Sequence, residues 1–110
     1  MVKKYKVITL CGSTKFKDEY MKAQRDLTLA GNIVITVGMF GHADGEYQTV
    51  LTEEVKEMLD DMHKRKIDMA DEIFVINKNG YVGLSTKSEI LYAQSTGKKV
   101  SYLEPNRILE

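Results

Sequence analysis

The chain has one cysteine, one proline and no tryptophan in 110 residues. A lone Cys11 cannot close an internal disulfide, so the expected setting is a reducing one, the cytoplasm. Cys11 ends the apolar run Val7-Ile8-Thr9-Leu10 and reads there as a small buried hydrophobe rather than a nucleophile. Excess charge of one sign is also missing. Sixteen basic side chains cancel sixteen acidic ones, which removes any general pull toward a nucleic-acid polymer or an anionic membrane. The local clusters Lys3, Lys4, Lys6 and Lys64, Arg65, Lys66 read as solvated surface. No apolar stretch approaches the ~18 residues needed to span a bilayer. Lys3, Lys4 and Lys6 interrupt the place where a signal peptide would be apolar, so none is expected. With two histidines and no Cys/His cluster, neither a metal nor another cofactor is expected.

What is present suits one domain, residues 1–110, around one core. Residues 5–11 read as a strand, continuously apolar toward its end as a central parallel strand would be. Phe16, Tyr20, Ala23, Leu27 and Ala30 recur at helical spacing, and Gly31 stops that helix. Residues 33–37 are β-branched and predict a strand; residues 38–48 are a glycine-containing loop. A second helix is expected over residues 50–69, with Leu51, Val55, Met58, Leu59 and Met62 as its apolar stripe. Residues 72–76 predict a third strand and 77–84 a loop. Residues 86–96 predict a third helix and 100–103 a fourth strand. The alternation predicts an α/β fold: a small doubly wound, Rossmann- or flavodoxin-like parallel sheet of about four strands, order 2-1-3-4, with helices on both faces. Three helices cover such a sheet incompletely, which leads us to expect a homodimer or higher homo-oligomer.

Order 2-1-3-4 places a switch point between the first and third strands, where open α/β sheets bind ligands. Both strands run into small-residue loops. After the first come Gly12, Ser13, Thr14 and Lys15, a tight turn with two hydroxyls, a helix N-terminus and a cation, which together suit an anion. Ser13 or Thr14 can equally be a plain N-cap. The spacing is neither a Walker loop nor a dinucleotide fingerprint. After the third strand, Gly80 and Gly83 bracket Tyr81, and Ser85, Thr86 and Glu89 follow. Glu89 reads either as a carboxylate at the pocket floor or as the acid of a capping box with Thr86. Asp44, Asp60 and Asp61 are further acids; His42 sits in the long loop, and His63 at the edge of the apolar stripe can face the sheet as a structural group.

The run Cys11-Gly12-Ser13, then Ile67-x-x-Ala70-Asp71-Glu72-Ile73-Phe74-Val75, then Ser88-Glu89-Ile90-x-Tyr92-Ala93 and Gly97-Lys98-Lys99-Val100, resembles the nucleoside 2-deoxyribosyltransferase-like superfamily. That group includes deoxyribosyltransferases and nucleoside 5′-monophosphate N-glycosidases. The likeness spans about residues 5–103. It implies that Glu89 is the nucleophile on C1′ of a (deoxy)ribosyl group, with a glycosyl-enzyme resolved by water or by a second base. It also implies that Gly12, Ser13 and Lys15, with Ser85 and Thr86, hold a 5′-phosphate; Thr14, Gly83 and Asp44 are further expected substrate-binding residues. His63, Asp60 or Asp44 would assist base departure or activate water. The implied partner is a small-molecule nucleotide or nucleoside. Three positions depart from the pattern. Thr9 stands where members often carry tyrosine, His63 where an acid is frequent, and Lys15 where phosphate-binding members often have arginine. A nucleotide-binding module without chemistry is therefore a second expectation. The Pro-Gly-Gly-x-Gly-Thr loop of cytokinin-activating phosphoribohydrolases is absent.

Overall fold

A computed structural model describes residues 3–105. In chain order the elements are β1 (Val7–Gly12), α1 (Lys17–Leu29), β2 (Ile33–Ile35), α2 (Tyr47–Val50), α3 (Glu53–Asp68), β3 (Glu72–Ile76), a 3-10 turn (Lys78–Gly80), α4 (Leu84–Ser95) and β4 (Lys99–Tyr102). The strands form one fully parallel sheet in the order β2-β1-β3-β4, the architecture expected from the alternation. Among the described residues, no helix is long and apolar enough to cross a membrane.

Strand periodicity builds the two faces. Leu10 lies beside Phe74, and Cys11 beside Val75. Leu10, Phe74 and Ile76 share one face, which α1 covers with Tyr20, Ala23 and Leu27. Cys11, Ile73 and Val75 share the other, where Ile67 of α3 and Ile90 and Ala93 of α4 pack. Thr9, also buried on that face, donates its hydroxyl to the Lys66 carbonyl at 2.9 Å and so pins α3 to β1.

Two helix boundaries differ from expectation, and the first difference has a capping cause. The helix expected over 50–69 starts at Glu53 instead, because Thr52 adopts an extended backbone and its hydroxyl accepts the Val55 N–H at 3.1 Å; the short helix α2, Tyr47–Val50, begins in the segment expected to be a loop. The expected apolar stripe also does not enter the core. Leu51, Met58 and Met62 remain exposed, and His63 and Ile67 are the buried residues of α3. The last helix begins at Leu84, two residues earlier than expected, with Gly83 at its cap position.

Gly12 joins the sheet to the crevice. Its φ is +139°, and a Cβ there would lie 2.7 Å from the Ile76 carbonyl oxygen and 3.0 Å from the Ile76 Cβ. The buried Tyr20 hydroxyl donates to the Gly12 carbonyl at 2.7 Å, which fixes the strand end from the α1 side. Gly31 has a φ of +97° but open space around it. Gly31→Ala should therefore cost only backbone strain, about 1 kcal/mol. Gly12→Ala adds a clash with β3 and should cost about 3 kcal/mol or more. Urea unfolding of the two variants measures the difference; equal losses would show that the contact with Ile76 is not the constraint.

Candidate functional site

The chain leaves β1 toward one face of the sheet and β3 toward the other, so their carboxyl ends part and open a crevice. A cavity of about 460 Å³ occupies it, within the usual range for small-molecule sites. Gly12, Ser13 and Thr14 form one wall, and Gly83, Ser85 and Thr86, where α4 starts, form another. Leu59, Asp60, Met62, His63 and Lys66 line it from α3. Val37, Met39, His42 and Tyr47 come from the segment after β2. The apolar stripe of the second predicted helix thus supplies cavity wall rather than core: Leu51, Leu59 and Met62 all line it.

Glu89 and His63 are titratable groups of this cavity that lie largely out of solvent. Their side chains are 13% and 10% exposed, and Glu89 Oε1 lies 3.7 Å from His63 Nε2. Behind them, Cys11 Sγ shares a 3.3 Å hydrogen bond with His63 Nε2. Glu89 is in the second turn of α4, because the helix starts at Leu84. No side-chain cap bond forms at that N-terminus, so the capping-box alternative does not hold. Burial, reinforced by the negative charge of Asp60, pushes the Glu89 carboxyl up to about 7. Burial, with the Lys66 charge nearby, pushes the His63 imidazole down to about 4. Cys11 is raised well above its ordinary range, first by burial and then by Glu89. At neutral pH the thiol keeps its proton, the imidazole is neutral, and Glu89 is poised between its two forms.

The first loop is less simple than a phosphate cradle. Ser13 Oγ accepts the Lys15 N–H at 3.3 Å, and Thr14 Oγ1 lies 2.8 Å from His42 Nδ1. Phe16 occupies the cap position of α1 without a side-chain cap bond, so neither Ser13 nor Thr14 is the N-cap. Lys15 does not line the cavity; its ammonium sits 3.8 Å from the ring centroid of Tyr81, which does. Asp44 is also outside, paired with Lys17 at 3.1 Å. Asp60 lines the cavity and is paired with Lys56 at 2.9 Å.

Three features escaped sequence reasoning. Lys66, read as solvated, lines the cavity and donates from Nζ to the Thr36 carbonyl at 2.8 Å. It stands three residues after His63, a helical-face spacing that links them. Tyr47 lines the cavity and meets His42 edge-on, with centroids 4.7 Å apart. Finally, a Cys/His/Glu cluster exists where no sequence spacing announced one: ligand atoms of Cys11, His63 and Glu89 all lie within 4.8 Å of one another.

No known family model matches the chain, and no curated protein matches its sequence. What is established is an α/β domain with a crevice at its switch point and a buried acid, imidazole and thiol at its inner end.

The opposite shifts of Glu89 and His63 predict a visible pH signature. Glu89 is raised from 4.5 to about 7, so between those values the unfolded chain binds fewer protons and stability falls as pH rises. His63 is lowered from 6.5 to about 4, so over that window the unfolded chain binds more protons and stability rises with pH. The two contributions largely cancel in the wild type. Glu89→Gln should leave a stability that climbs from about pH 4 to 6.5, and His63→Gln one that declines from about pH 4.5 to 7, each by up to roughly 3 kcal/mol. Denaturant midpoints across pH 4–8 test this; parallel profiles for the two variants would contradict it.

Proposed function

We propose that the chain cleaves the N-glycosidic bond of a nucleoside 5′-monophosphate, with Glu89 as the nucleophile at C1′. The observation that carries this reading is the setting of the Glu89 carboxyl. It is largely buried, free of any capping role, and opens on the same cavity as Gly12, Ser13 and Thr14. The resemblance to the nucleoside 2-deoxyribosyltransferase-like superfamily points the same way.

In this mechanism the phosphate is received by Ser13 and Thr14 and by the first turn of α4, where Ser85 and Thr86 add hydroxyls and unpaired N–H groups favour an anion. Lys15 approaches from its place over Tyr81. Ionised Glu89 attacks C1′ as the base leaves, forming an ester. Water then cleaves the ester, with the neutral His63 or Asp60 accepting its proton. No metal takes part in these steps. We read the working unit as a homodimer, since Met58 and Met62 of α3 and Leu84 and Leu91 of α4 leave apolar surface exposed, and as cytoplasmic, since the lone Cys11 has no internal disulfide partner.

A binding module without turnover is the second reading, and Thr9 favours it. Its hydroxyl is committed to the Lys66 carbonyl on α3 and does not line the cavity, so no first-strand side chain reaches toward a sugar as tyrosine would.

The test is release of free base from a panel of nucleosides and their 5′-monophosphates, wild type beside Glu89→Gln. Turnover of monophosphates should fall on the order of a thousandfold or more in the variant, while calorimetry shows the nucleotide still bound. Release only on adding an acceptor base would mean deoxyribosyl transfer. Nucleotide binding without release from any substrate would establish the binding module. Wild-type turnover in Glu89→Gln would refute Glu89 as nucleophile.

A further inference from the structure

Cys11, His63 and Glu89 come from β1, α3 and α4, three elements that meet only in the folded chain. All three side chains are buried, and their ligand atoms lie within 4.8 Å of one another. We infer that these three side chains form a binding site for a thiophilic divalent transition metal, zinc in the first instance.

The donor set decides the class of ion. A thiol, an imidazole and a carboxyl suit zinc and its borderline neighbours, whereas magnesium and calcium take oxygen ligands. The spacing suits it too. Bonds of ~2.0–2.3 Å in tetrahedral array place neighbouring donors about 3.3–3.7 Å apart. Here Sγ to Nε2 is 3.3 Å and Nε2 to Oε1 is 3.7 Å, so small side-chain adjustments suffice. His63 and Glu89 open on the cavity, which leaves space for a water as fourth ligand, the open arrangement of three-ligand zinc sites. The Cys11 and His63 donor atoms are already in contact with one another across the cluster. On binding, the Cys11 thiol gives its proton to solvent and the resulting thiolate takes the metal.

The inference stands apart from the glycosidase reading, since binding needs no turnover. Where that reading holds, a bound ion engages the Glu89 carboxylate and withholds it from C1′, so the loaded protein is a blocked state that a chelator reverses.

The experiment is titration of the chelator-stripped full-length chain with cobalt(II), followed by zinc. One equivalent of cobalt per chain should produce a thiolate-to-cobalt charge-transfer band in the near ultraviolet and strong visible bands of four-coordinate type, and zinc should abolish both. Cys11→Ser should lose the charge-transfer band, and Glu89→Gln should weaken cobalt binding about tenfold or more, at least the loss that a supporting partner of a metal ligand causes. Far-ultraviolet circular dichroism checks each fold. If Cys11→Ser does not fold, Glu89→Gln, which removes a buried acid and leaves the thiol, carries the test alone. No charge-transfer band in the wild type, or cobalt affinity unchanged in a folded Glu89→Gln, overturns the inference. Because the readout is metal binding, failure here leaves base release untouched, and an inactive protein that binds cobalt still supports the site.

Discussion

The close approach of β1 and β3 at Gly12 and Ile76 governs everything built at the carboxyl edge of the sheet. No side chain fits between them, so the last step of β1 stays in register with β3 up to Ile76, and only then do the two chains diverge. Tyr20 holds the Gly12 carbonyl from one face, while Thr9 holds α3 from the other. The divergence is abrupt because it begins from a contact with no slack. A wider strand separation would spread the loops that carry Ser13 and Ser85 and would move Cys11 away from α3 and α4.

The second constraint follows from the first. Placing Cys11 fully beneath the crevice fixes the spot where α3 and α4 converge, and at that spot each helix contributes a titratable group rather than an apolar one. Filling it with hydrophobic side chains would have been the simpler way to stabilise so small a domain. Instead a carboxyl, an imidazole and a thiol share one desolvated volume, with the Asp60 charge raising the carboxyl further and Lys66 lowering the imidazole further. Strongly perturbed groups grouped in a cleft are more frequent at functional sites than elsewhere, and here both perturbed groups line the same cavity.

The sheet order and the position of the crevice were legible in the sequence because both depend on local signals: apolar runs ending in small residues, separated by helical periods. Glu89 was legible only as one of two readings, since Thr86-x-x-Glu89 spells a capping box as readily as a pocket acid. The decision rests on where α4 starts, and it starts at Leu84, two residues before the hydroxyl that would have been the cap. Likewise the Cys11–His63 contact spans 52 residues and leaves no mark in any spacing. Lys66 shows the limit of charge clustering: three consecutive cations on a helix point in three directions, and only one of them turns to the cavity. For α3, periodicity correctly identified a shared face in Leu59 and Met62 but carried no information on whether sheet or cavity would lie against it.

On the glycosidase reading, the burial that raises Glu89 bears directly on how it would act. Desolvation penalises the carboxylate in the empty site, which looks like a handicap for a nucleophile. The reacting sugar, however, develops positive charge at C1′ as the base departs. A carboxylate that is poorly solvated by water and held in a low-dielectric pocket interacts more strongly with that charge than a hydrated one would. The same environment therefore disfavours ionised Glu89 in the free protein and favours it beside the transition state, and only such a difference between states accelerates a reaction. A substrate phosphate adds a negative charge to the cavity and would raise Glu89 further unless it is neutralised nearby. Lys56 and Lys66 line the cavity and Lys15 lies over the ring of Tyr81, a cavity residue; on this reading these cations balance the phosphate, so that one small pocket holds an anionic group and an ionised nucleophile together.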